Sequence, residues 1–166
     1  MINYRLADEN DKEKIIGFYH VEYFKLAEGI FSKQLIDYYE KVGEYYASLV
    51  NTNPNFYLFL ALEKDKIVGT LPIFLDDKDT KMSALGSFIV KEEYRQKGVG
   101  SELLKQAIKL VKQKNQTKLC AAVPKAFIDK NKRLPDFYIK HGFKHENTIN
   151  DFEKNLIFEG YALNLL

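Results

Sequence analysis

The chain has 166 residues, 46% of them hydrophobic and 29% charged, with a formal net charge of +2. That is the size and balance of one ordinary globular domain spanning residues 1–166, and it excludes disordered and fibrous chains. The charge is too small to argue for a nucleic-acid partner, and the single cysteine, Cys120, excludes an internal disulfide framework or a cysteine zinc cluster.

Residues 2–6 alternate as a short strand, and Asp8 or Asn10 then offers an N-cap for a helix carrying Ile15, Phe18, Tyr19, Tyr23 and Leu26, which Gly29 stops. Ser32 offers a second N-cap, followed by Leu35, Tyr38, Tyr39, Val42, Tyr45, Tyr46 and Leu49, with Pro54 closing that segment. Residues 56–63 and 66–75 are rich in aromatic and branched side chains around Lys64-Asp65, which predicts an antiparallel hairpin. Pro72 removes a ladder donor inside the second run, so a bulge or an edge is expected there. Residues 81–90 form a third strand.

Residues 98–114 are the clearest helix, with Val99, Leu103, Ala107, Leu110 and Val111 on one face and Lys105, Lys109 and Lys112 on another. Residues 119–123 suit a buried strand, 131–141 a helix despite Pro135, and 142–149 and 156–165 two final strands. Strand, two helices, three strands, helix, strand, helix and two strands predict a mixed α/β sheet with helices on both faces. No apolar run approaches the roughly 20 residues that span a bilayer, so no membrane partner is expected. The N-terminus lacks a basic-then-apolar leader, and the expected location is cytoplasmic.

Charge is unevenly spread. Residues 91–118 hold eight basic side chains against three acids, so the remainder is net acidic. Within that segment a strand ends at Phe88-Ile89-Val90, a polar turn follows, and a helix opens at Gly98-Val99-Gly100. Such a junction turns unpaired backbone N–H groups, reinforced by the helix dipole, toward one spot where an anion can sit. Arg95 and Lys97 add charge beside it. The position after Gly98 and Gly100 where a dinucleotide fingerprint wants its third glycine is Leu103, and no Gly-Lys-Ser/Thr follows a glycine-rich loop, so a Rossmann site and a P-loop are disfavoured. An ordinary tight turn is the plain alternative.

Arg95-Gln96-Lys97-Gly98-Val99-Gly100 resembles the R/Q-x-x-G-x-G/A signature of the GNAT superfamily of acetyl-CoA-dependent N-acetyltransferases. Asn131 and Tyr138, followed by His141-Gly142-Phe143, are similar to a downstream block of the same family, although Leu134 stands where relatives often carry alanine and Pro135 should delay or kink the helix. The resemblance implies a mostly antiparallel central sheet in which residues 81–90 and 119–123 run parallel and splay apart. It implies acetyl-CoA as co-substrate; His141 and His145 have no partner at metal-ligand spacing in the sequence, so no metal site is expected. Gln96, Lys97, Gly98, Val99, Gly100 and Ser101 would hold the coenzyme pyrophosphate with Arg95 beside them. Phe88, Ile89 and Val90 would pair through backbone with the pantetheine arm, with an N–H near Val90 as oxyanion donor, Asn131 would touch the coenzyme, and Tyr138 would be the general acid.

No general base is evident. His20, Glu22, Glu28, Asp76 and Asp77 are conceivable, each reading more readily as a solvated surface residue, and Ser87 could relay only through water. Cys120 reads as a small buried hydrophobe, and His141 and His145 as surface or packing residues. The resemblance implies that Tyr19, Tyr23, Phe24, Tyr38, Tyr39, Tyr45 and Tyr46 with Glu22 and Glu28 border the acceptor, as an aromatic pocket suited to a cationic amine or simply as core. The expected reaction is acetyl transfer to a primary amine of a small molecule. A peptide or protein acceptor and a non-catalytic acyl-CoA-binding domain are the alternatives, and a homodimer through the late strands is compatible with the family.

Overall fold

A computed structural model of the chain describes residues 1–31, 36, 41–76, 80–153 and 155–166. Their strands are β1 (Ile2–Leu6), β2 (Phe56–Glu63), β3 (Lys66–Phe74), β4 (Met82–Leu85), β5 (Ile89–Val90), β6 (Lys118–Pro124), β7 (Lys144–Asp151) and β8 (Leu156–Asn164). The helices are α1 (Lys12–Ala27), α2 (Val42–Leu49), α3 (Val99–Gln113), α4 (Lys125–Lys130) and α5 (Leu134–Lys140). The strands form one sheet in the order β1-β2-β3-β4-β6-β8-β7, with β5 also on β3, and every pair is antiparallel except β4 with β6. This is the mixed, mostly antiparallel sheet expected.

Period-two alternation sends successive β2 side chains to opposite faces. Phe59 and Ala61 pack with the α3 stripe of Val99, Leu103, Leu104, Ala107 and Val111, while Leu58, Leu60 and Leu62 pack with Ile15, Phe18 and Tyr19 of α1 and Tyr46 of α2. With both faces covered, β2 and β3 read as near-continuous apolar runs. No helix among the described residues is long and apolar enough to cross a membrane.

Asp8 caps a 3₁₀ turn, Glu9–Asp11, that leads into α1, by a reciprocal pair of bonds with Asp11. Asp11 is 1% exposed and accepts from both terminal guanidinium nitrogens of Arg5, at 2.6 and 2.8 Å. Its hydrogen bond to Arg5 holds its carboxyl below the usual aspartate range. Removing Arg5 strands a buried carboxylate, so Arg5→Ala is expected to lose about 1–3 kcal/mol at pH 7. A depressed folded pKa contributes stability above the unfolded value of about 3.9 and loses it as pH falls through the folded one. The difference in Tm between Arg5→Ala and the parent should therefore narrow below about pH 4, which thermal melts from pH 7 to pH 3 would measure.

Several boundaries differ from expectation. Ser32, Leu35, Tyr38, Tyr39 and Asp77 lie outside the described residues, and the second helical segment is described at residue 36, which is helical, and from residue 41 onward, where it forms α2. Residues 81–90 are not one strand but β4 and β5, split at residues 86–88. Gly86 N–H donates to the Pro72 carbonyl at 2.9 Å, and Pro72 has no N–H to return. The disruption expected at Pro72 thus falls on the strand facing it, while Pro72 itself stays in register with Leu58. The helix expected over 131–141 begins at Leu134 with Pro135 in its first turn, where a missing N–H costs nothing. Helix α4 was not foreseen, since six residues are too few to show a helical period, and β7 spans Lys144–Asp151 rather than 142–149.

Candidate active site

Between β4 and β6 the sheet opens. The parallel pair holds for three rungs, Met82 with Lys118, Ser83 with Leu119 and Ala84 with Cys120, then stops. Beyond it β6 pairs only with β8, while β5 pairs only with β3. A wedge therefore separates residues 88–90 from residues 121–123. Lys91 N–H donates to the Val68 carbonyl. Val90, one residue earlier and opposite Gly69, is therefore a non-hydrogen-bonded pair whose own N–H faces away from β3.

At the end of this wedge a 3₁₀ turn, Glu92–Tyr94, and Arg95-Gln96-Lys97 lead into α3. Gln96 and the N-cap Gly98 both have positive φ, 57° and 83°, a conformation that glycine takes without penalty. No side chain caps α3, whose first helical bond runs from Glu102 N–H to the Gly98 carbonyl. The amides of Val99, Gly100 and Ser101 consequently have no partner within the helix and face its N-terminal end. Arg95, Gln96 and Lys97 are exposed. Arg95 Nε donates to the Val90 carbonyl at 2.9 Å, and Lys97 Nζ lies 5.8 Å from the Tyr94 ring centre. Both cations are thus steadied within the turn.

A hollow of about 320 Å³ adjoins this N-terminus, lined by Gly98, Ser101, Glu102, Lys105, Ile108 and His141. Five of these share one helical stripe at spacings of one, three or four residues. That spacing is the signal in the sequence for Lys105, otherwise part of a solvated lysine face; His141, at the C-terminal end of α5, reaches the hollow from a different element and has no such local signal.

Tyr138, on α5, is 6% exposed. It stacks on Tyr161 at 5.5 Å between ring centres and meets Phe137 and Phe143 edge-on at 5.4 and 5.5 Å. Its hydroxyl has no hydrogen-bond partner among the described residues. Burial, and to a lesser degree Tyr161, pushes its phenol far above the ordinary tyrosine range. Phe137 also meets Phe88 at 5.8 Å, and a Cβ at Gly100 would lie 3.5 Å from both rings. Phe88, Gly100 and α5 are thus brought together. Asn131 is exposed, and its Oδ1 accepts the Arg133 N–H at 3.2 Å in the turn before α5.

The candidate bases divide. His20 and Glu28 are exposed as expected, and Asp76 is half-buried and accepts the Thr80 hydroxyl. Glu22 is not a solvated surface residue: it is 6% exposed on α1, with Lys25 Nζ at 3.1 Å. Cys120 is half-buried on the last parallel rung rather than wholly enclosed, and burial raises its thiol pKa, which keeps it unreactive at neutral pH. His145 pairs with Glu159, and His141 bonds the Phe137 carbonyl. Among the described residues no group of three His, Cys, Asp or Glu is placed to hold a metal ion.

Of the described members of the expected aromatic acceptor wall, Tyr19, Tyr23 and Tyr46 are buried in the core, while Phe24 and Tyr45 are exposed. Sequence reasoning missed what two of them do. Tyr46 and Tyr19 hold the backbone of Ser87, and a Cβ at Gly86 would come within 2.7 Å of Tyr46 Oη.

The sequence profile of the acetyltransferase (GNAT) family matches residues 13–143. Comparison with curated proteins gives no match. The fold is similar to that of PaiA N-acetyltransferase from Thermoplasma acidophilum in complex with coenzyme A, with TM-score 0.76, 20% identity and 99% of each chain covered. A GNAT-family acetyltransferase from Streptococcus pneumoniae gives TM-score 0.74, 21% identity and 99% of each chain. The ribosomal-protein-S18-alanine N-acetyltransferase of Escherichia coli gives TM-score 0.70 and 16% identity, over 99% of this chain and 94% of that one. At these identities the likeness is one of fold.

Proposed function

The chain belongs to the GNAT family of acetyltransferases, and on that footing we propose that it transfers an acetyl group from acetyl-CoA to a primary amine of a small molecule by direct attack in a ternary complex. The observation that carries this reading is the wedge between residues 88–90 and 121–123, which ends at the uncapped N-terminus of α3. Unpaired amides at a helix N-terminus suit a pyrophosphate, and strand edges with free N–H groups suit the two amides of a pantetheine arm.

Bound acetyl-CoA supplies the activated thioester. The amides of residues 96–101 hold the pyrophosphate, with Arg95 and Lys97 adding charge, and Phe88, Ile89 and Val90 line the arm with their backbone. Asn131 shapes the turn that carries α5 toward the coenzyme. Tyr138, kept neutral by burial, gives its proton to the departing sulfur. A small acceptor is favoured over a peptide by the ring contact of Phe31, beyond α1, with Phe127 of α4 at 5.3 Å, which joins α4 to the α1–α2 core on one face of the sheet and closes the space between them. The reading is that of a metal-independent enzyme of the cytoplasm.

Calorimetry with acetyl-CoA, followed by mass spectrometry on a panel of small amines and peptide N-termini, tests it. Micromolar binding with acetylation of small amines is expected. Absence of binding overturns the donor site, and acetylation of peptides alone replaces the acceptor class.

A further inference from the structure

Residue 87 sits where the sheet loses register. Thr70 pairs with Ile89, and Pro72 accepts the Gly86 N–H, so Ser87 and Phe88 together face the single residue Leu71. That is a β-bulge, which leaves its residues without ladder partners. Those of Ser87 are filled from outside the strand. Its N–H donates to Tyr46 Oη at 2.9 Å, and the Tyr46 hydroxyl donates to Ser87 Oγ at 3.2 Å. The Tyr19 hydroxyl donates to the Ser87 carbonyl at 2.9 Å and accepts from Thr70 Oγ1 at 2.8 Å. Tyr19 and Thr70 are wholly buried, and Tyr46 nearly so. Burial raises both phenols above the ordinary tyrosine range, so each stays a hydrogen-bond donor.

This arrangement has a directional consequence. In a trans peptide the carbonyl and the following N–H point opposite ways, and no peptide bond here is cis. Because Tyr19 of α1 draws the Ser87 carbonyl toward itself, the Phe88 N–H is turned away from α1. Phe88 places its ring on that opposite side, against Phe137, the neighbour of Tyr138.

We propose that Tyr19 and Tyr46, with Thr70 seating Tyr19, are positioning residues that lock the Ser87–Phe88 peptide so that the Phe88 N–H donates to the thioester carbonyl oxygen of bound acetyl-CoA. This rests on the acetyltransferase reading above. A donor fixed beforehand where negative charge gathers lowers the barrier without reorganising during the reaction. A peptide in a bulge, freed of its clamp, is able to rotate.

The test uses the full chain with acetyl-CoA carrying ¹³C at the thioester carbonyl, followed by isotope-edited infrared spectroscopy, and calorimetry with acetyl-CoA and with CoA. Tyr19→Phe removes one hydroxyl and keeps the ring. The carbonyl band should move to higher wavenumber than in the parent complex, and the preference for acetyl-CoA over CoA should fall roughly two- to tenfold, with CoA affinity unchanged. Tyr46→Phe, which frees the N–H side of the same residue, should shift the band in the same direction and serves alone if Tyr19→Phe does not fold. Variants that bind acetyl-CoA with the band and the preference unmoved overturn the proposal and leave the acetyltransferase reading standing. No acetyl-CoA binding by the parent protein overturns both.

Discussion

Gly98→Glu is expected to weaken acetyl-CoA binding at least about 100-fold, some 2.7 kcal/mol, while leaving the protein folded. Gly98 is the N-cap of α3 with φ 83°, and a Cβ built there meets nothing within 4 Å. A side chain is therefore admitted at the cost of backbone strain alone, about 1–2 kcal/mol for a residue with a Cβ. Its carboxylate would stand at the positive end of the α3 dipole, an arrangement that stabilises the helix by about 0.3–1 kcal/mol and offsets part of the strain. The same carboxylate would occupy the amides of Val99, Gly100 and Ser101 and repel a pyrophosphate. Stability and binding should thus separate: Tm shifts by a few degrees, and the calorimetric signal disappears. Gly98→Ala isolates the strain and should retain binding. Unchanged affinity in Gly98→Glu would show that the coenzyme does not use this turn.

What could be read from the sequence was local. The alternation in β2 and β3 and the apolar stripe of α3 follow from the residues alone, because period two and period 3.6 are each visible within one element. The glycines at 98 and 100 likewise announce an uncapped helix start. The bulge could not be read. Its partners, Tyr46 and Tyr19, lie 41 and 68 residues from Ser87 in the chain, and a tyrosine on an amphipathic helix looks the same whether its hydroxyl meets solvent, substrate or a distant carbonyl. For the same reason Glu22 looked solvated: its burial depends on what α1 packs against, not on its neighbours. Pro72 shows an intermediate case. The missing donor is legible, but which neighbouring strand suffers depends on the direction in which the prolyl nitrogen faces, and only the register with Gly86 decides that.

Tyr138→Phe should lower kcat by on the order of 10²–10⁴ with acetyl-CoA affinity unchanged within about twofold. The two properties separate because ring and hydroxyl serve different ends. The ring is held by Tyr161, Phe137 and Phe143, contacts that phenylalanine reproduces. The hydroxyl bonds to no described residue, so its removal leaves no buried partner unsatisfied, and Tm should hold or rise slightly. Burial raises the Tyr138 pKa, so the proton-bearing form persists beyond the ordinary tyrosine value of about 10. An acid is lost only as pH climbs through its own pKa, so Tyr138 should leave no falling limb in the rate profile of the parent below about pH 10. In Tyr138→Phe the residual rate should depend on a solvent proton, and a poorer thiolate leaving group should slow the variant more than the parent. A variant that turns over at the parent rate would make Tyr138 a packing residue of the α5 core and leave the departing sulfur to be protonated by water.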